Sequence, residues 1–170
     1  CLSARSGGRP ELDDEFLSII TSYSKTLAVP ARRSISYQQV IMGEQYFRQA
    51  GCQQCHIETI KTGVDKDFPA LSLQVIHPYT DLLLHDMGEG LADHSREFLA
   101  TGTEWRTPPL WGIGLMKTVN GHTNLLHDGR ARNIEEAILW HQGEADGARD
   151  HYVNMPREQR QRLVNFINSL

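Results

Sequence analysis

The chain has 170 residues, enough for one domain with a core of its own, so disulfides are not needed merely to fold it. Its 39% hydrophobic and 22% charged content fits a soluble globular protein. A net charge of −4 disfavours nucleic acid as a partner, and no run approaches the roughly 18 apolar residues of a membrane span.

Residue 1 is Cys, not Met, and no charged-then-apolar signal peptide follows it. A processed chain, as a lipoprotein is at its Cys, or a piece of a longer protein is expected. Residues 1–10, with two Gly and a Pro, read as a loop. A helix is expected at about 13–28: Phe16, Ile19, Ile20, Tyr23 and Leu27 fall at helical spacing, and Asp13, Asp14 and Glu15 suit its N-terminal end. Pro30 ends it. A linker at 31–36 leads to a second helix at about 37–50, capped by Ser36, with Val40, Ile41, Tyr46 and Phe47 on its apolar side.

Residues 57–78 read as irregular. A short helix is expected at Tyr79–His85 and a helical turn or two at Ser95–Ala100, with loop from 101 to 129. Asn133 and Glu136 have the spacing of a capping box. The helix they open places Ile134, Ala137, Ile138 and His141 on one face. Pro156 sits in the first turn of a last helix at about 156–169, with Leu163, Phe166, Ile167 and Leu170 as its buried side. No strand run stands out, so the expected class is all-α with long loops. Such loops need a body to pack on.

Cys52-Gln53-Gln54-Cys55-His56 supplies that body. Two thiols three residues apart reach two vinyl groups on one porphyrin edge, and the next residue, His56, falls under the iron. Composition would place this pentapeptide here by chance roughly a few times in a thousand. A zinc site needs further ligands at matched spacing, and no other Cys pair exists. The expectation is one covalent haem c in a cytochrome c-like domain at 37–170. Covalent attachment takes place outside the cytoplasm, so a bacterial periplasm is the expected location. Cys1 is then left without a partner: a free thiol, a lipid anchor or half of a disulfide to an upstream Cys.

A six-coordinate haem needs a second ligand, Met or His. The candidates are Met87, Met116, Met155 and the remaining histidines. His141 lies on the apolar face of its helix after Trp140, where a buried imidazole needs a partner. Met87, between Asp86 and Gly88, is the alternative.

Residues 51–143 resemble the second haem domain of the bacterial di-haem cytochrome c peroxidase superfamily. The ordered set is the haem motif, Arg106-Thr107-Pro108-Pro109-Leu110, His127-Asp128-Gly129 and the helix Asn133–Trp140. The chain is most similar to its di-haem oxidoreductases, peroxidase-like proteins also labelled thiol oxidoreductases. The phrases carrying this are 27–33 (LAVPARR), 77–88 (HPYTDLLLHDMG) and 138–141 (ILWH). No residue here supports the thiol label.

The resemblance implies a Met ligand at the position that His141 occupies, or a Tyr in one relative, which favours His141 over Met87. It also implies a second haem domain upstream, with residues 1–36 completing it and this chain as the C-terminal part. Trp111 stands where the family has Arg, so propionate contacts are expected from Arg130 and Arg132 instead. The implied role is electron relay to or from that second haem, fed by a redox partner protein. A free-standing monohaem cytochrome c is the second expectation. A five-coordinate, peroxide-reactive haem with His127, His85 or Glu89 as acid–base group is the third.

Overall fold

The computed structural model describes residues 5–170, so Cys1 lies outside the described residues. It divides into two compact units, one ending at Pro30 and one running from Ala31 to Leu170. The sequence pattern places this boundary at 36/37 instead. The second unit takes in Arg32 and Arg33 because both side chains reach into it. Arg32 pairs with Glu44 at 2.7 Å, and Arg33 Nη2 donates to the Asn168 carbonyl at 2.6 Å.

The first unit contains α1, Asp14–Thr26. Asp13 caps it by accepting the Phe16 N–H at 2.7 Å, and Asp14, Glu15 and Lys25 complement its dipole. The expected apolar side is present but uncovered: no α1 residue is buried, and Tyr23 is 67% exposed.

The second unit is built on α2 (Gln38–Gln49) and α6 (Arg157–Ser169). Val40 and Phe47 of α2 meet Leu163, Phe166 and Ile167 of α6 in one core with Tyr79, Leu110, Ile134, Tyr152 and Leu170. Phe47 and Phe166 lie 5.2 Å apart between ring centroids, and Tyr79 stands edge-on to both. Contact between the helices is close at Gly43, where a Cβ would fall 2.0 Å from the Arg162 carbonyl oxygen. The expected Ser36 cap does not form. The residue before α2 is Tyr37, which makes no side-chain cap bond. Its N–H bonds the carbonyl of Ser34, itself at φ 55°, so a tight turn starts the helix.

Three further helices lie between them, α3 (Met116–Asn120), α4 (Ile134–Leu139) and α5 (Asp146–Asn154). Strands, not expected, form two antiparallel pairs: β1 (Ile60–Lys61) with β2 (Val75–Ile76), and β3 (Leu84–Asp86) with β4 (Glu104–Arg106). The fold is therefore mostly helical, 44% helix against 8% strand, rather than purely α.

The helix expected at Tyr79–His85 is absent. Tyr79 and Leu82 take φ 55° and 61°, which a right-handed helix excludes. Thr80 and Asp81 side chains accept the N–H groups of Leu82 and Leu83 and so replace the helical bonds. Ser95–Ala100 is likewise a tight reverse turn, closed by Glu97 and Ala100. Asn133 caps α4 as expected, accepting the Glu136 N–H at 2.9 Å. Glu136 reaches back one residue further than a capping box requires, to the Arg132 N–H. In α6, Pro156 precedes the first turn, and the expected residues are buried. No helix among the described residues is long and apolar enough to cross a membrane.

Two glycine substitutions separate close packing from helix propensity. Gly43→Ala is expected to destabilise by about 1–3 kcal/mol through overpacking against α6. Gly147→Ala, with nothing within 4 Å of its added Cβ, is expected to stabilise α5 by about 0.5–1 kcal/mol. Chemical denaturation of the two variants checks this; equal midpoints would contradict it.

Candidate haem site

The Cys-x-x-Cys-His segment sits where α2 ends. Gly51 turns the chain with φ 90°, a conformation that favours glycine, and the 3-10 turn Cys52–Gln54 comes at once. The Cys52 carbonyl accepts the N–H groups of both Cys55 and His56, which winds the two thiols and the imidazole around one turn. Cys52 packs against the core, whereas Cys55 is half-exposed; both are free thiols. Burial pushes the Cys52 thiol up to about 12. Burial, then the charges of Asp81 and Glu144, also raise Cys55. Neither has the lowered pKa of an activated thiolate.

His56 donates Nδ1–H to the Tyr79 carbonyl at 2.9 Å. A carbonyl can only accept, so this bond puts the proton on Nδ1 and leaves the Nε2 lone pair for a metal. Burial pulls the His56 pKa down to about 4, against the raising effect of that bond, so the ring is neutral at pH 7. The Tyr79 carbonyl is well fixed. Its side chain is only 3% exposed, and Thr80 next to it is fully buried, donating to the Thr107 carbonyl at 2.7 Å.

His141 has the same arrangement. Its Nδ1–H donates to the Ala137 carbonyl at 2.7 Å, and burial lowers its pKa. It stands two residues past the end of α4, half-buried, close enough that a charge on it would disfavour a charge on His56. Two neutral imidazoles near each other, both with free Nε2, form a donor set that fits haem iron. The Cys pair beside His56 fits covalent attachment to the same group.

Of the other expected residues, Met87 is half-buried on the turn after β3, its N–H bound to the Thr103 carbonyl. Arg130 pairs with Asp128, donates to the Gly90 carbonyl and lies 4.8 Å over the Trp140 ring. Arg132 pairs with Glu136, and its side chain is 82% exposed. His127 is exposed and stacks on Trp105 at 3.5 Å, and Glu89 lies near His94 in solvent.

One cluster escapes a reading of the sequence. His85 Nε2 lies 2.8 Å from Asp81 and Nδ1 2.9 Å from Glu144, which raises its pKa through the Glu144 bond first and the Asp81 bond second. Ligand-type atoms of Cys55, Asp81 and His85 lie within 4.8 Å of one another, so this ion network adjoins the thiol. The helical spacing of Asp81 and His85 is legible, but Glu144 lies 59 residues from His85.

A model of one family, described as "Di-haem oxidoreductase, putative peroxidase", matches residues 3–170. No curated protein and no solved structure gives a significant match.

Thr80→Val is expected to destabilise by about 1–3 kcal/mol, since it strands the buried Thr107 carbonyl and the Leu82 N–H at nearly constant volume. Chemical denaturation checks this, and an unchanged midpoint would contradict it. The matched segment is almost the whole sequence, and the chain belongs to the di-haem oxidoreductase family.

Proposed function

We propose that this chain is the C-terminal, electron-transferring haem domain of a di-haem, peroxidase-like oxidoreductase. Cys52 and Cys55 would tether one haem c through thioether bonds, and His56 and His141 would be its axial ligands. The observation that carries the reading is the pairing of two nearby imidazoles, each held by a backbone carbonyl at Nδ1 with Nε2 free. Met87 stands on a different turn, and its environment gives no comparable reason for ligation.

Bound haem supplies one-electron iron chemistry. The residues here would do the rest. His56 and His141 would both hold the iron, which would suit electron relay rather than peroxide cleavage. Two imidazoles favour a lower potential than a His/Met pair. The carbonyls of Tyr79 and Ala137 hold the rings in one tautomer and keep them good donors.

The family is named for two haems, whereas the sequence carries one Cys-x-x-Cys-His. This supports a second haem domain upstream, completed by residues 1–36, as the immediate electron partner. A redox partner protein would feed the pair. Covalent haem attachment supports an exported, periplasmic protein.

His141→Ala in the haem-loaded chain tests the ligation. The ferric optical spectrum is expected to change from low-spin to high-spin, and added imidazole is expected to restore the low-spin form. An unchanged low-spin spectrum would remove His141 from the iron.

A further inference from the structure

We propose that Glu144 is a positioning residue that ties the segment carrying His141 to the loop Asp81–Gly88 and so holds His141 on the iron. This rests on the His141 ligation proposed above. Glu144 comes three residues after His141, in the 3-10 turn Gly143–Ala145. Its Oε1 accepts the Asp86 N–H at 2.9 Å, and its Oε2 faces His85 Nδ1 at 2.9 Å. His85 Nε2 meets Asp81 at 2.8 Å, and Asp81 is anchored by the Leu83 N–H at 2.9 Å. One carboxylate therefore binds both the backbone and a side chain of β3.

Packing makes the tie rigid. A Cβ on Gly143 would fall 2.2 Å from the Asp86 carbonyl oxygen, and one on Gly88 would fall 3.0 Å from Gln142 Cβ. The two segments meet almost backbone to backbone, with no slack between them. His141 lies beyond the last residue of α4, Leu139, and its N–H bonds the Ile138 carbonyl at 3.1 Å, so the tie adds to one short turn past the helix end. Its ring is otherwise restrained by the Ala137 carbonyl, with a long 3.3 Å bond from Arg149 to its own carbonyl. An axial ligand tolerates only about 0.5 Å of misplacement, so the anchoring of residues 142–145 decides how long His141 stays in position. The Glu144 side chain is 56% exposed, so truncating it opens no hole in the core.

Cyanide binding to the ferric, haem-loaded full chain reads this directly, since cyanide enters only when His141 leaves the iron. Glu144→Ala, which loses both bonds to a charged acceptor, is expected to bind cyanide about tenfold faster. Glu144→Gln keeps an acceptor for the Asp86 N–H and is expected at about threefold. These two variants carry the test together, so a loading defect in the first leaves the second to decide. Rates within twofold of the parent in the loaded variants would overturn the clamp. His141→Ala separates this outcome from failure of the ligation. Fast cyanide entry there with slow entry in the parent supports the ligation, whereas equal rates in the two would overturn both readings.

Discussion

A hydrogen bond from an imidazole Nδ1 to a main-chain carbonyl is the interaction on which the site depends. At His56 the acceptor is Tyr79, and at His141 it is Ala137. Each bond decides which ring nitrogen keeps its lone pair, and each turns a buried polar group into an oriented donor. The His56 bond also joins the Cys-x-x-Cys-His turn to the hydrophobic core. Tyr79 packs edge-on against Phe47 of α2 and Phe166 of α6, so the helix pair that stabilises the second unit also aims the imidazole. Stability and ligand geometry here share the same residues. The positive φ of Tyr79 is the local strain that points its carbonyl at His56, and burial of Tyr79 and Thr80 keeps it in place.

Much of this is legible in the sequence because it is local. The haem motif is contiguous, the Asn133 cap acts over three residues, and the apolar stripe of α6 repeats at helical period. The parts that are not legible depend on distant partners or on strands too short to show a period. Leu84–Asp86 is three residues long, so alternation cannot be read from it. The run Tyr79–His85 has helix-forming leucines, but the side chains of Thr80 and Asp81 bind the following backbone and override propensity. Helix α5 contains Gly147 and few apolar residues, and it is held by the buried Tyr152, not by an amphipathic pattern. Spacing puts His141 on the face of a helix, yet it lies two residues past the helix end, tied back to α4 by the Ala137 and Ile138 carbonyls.

The basic residues expected near the propionates show the same limit. Sequence marks Arg130 and Arg132 as cations beside His127. Structure shows what each guanidinium does locally: one bridges Asp128, Gly90 and the Trp140 face, the other pairs with Glu136. Helix α1 is a complementary case. Its cap and periodicity are legible, and its apolar side is uncovered among the described residues.

The central claim is that one iron takes Nε2 of both His56 and His141. Pulsed electron–nuclear resonance on the ferric, haem-loaded chain tests it, using histidine labelled with nitrogen-15 at Nε2 alone or at Nδ1 alone. The account predicts two strongly coupled Nε2 nuclei and no strongly coupled Nδ1, with one of the two Nε2 signals lost in His141→Ala. A single strongly coupled imidazole in the parent chain, or strong coupling to Nδ1, would contradict it.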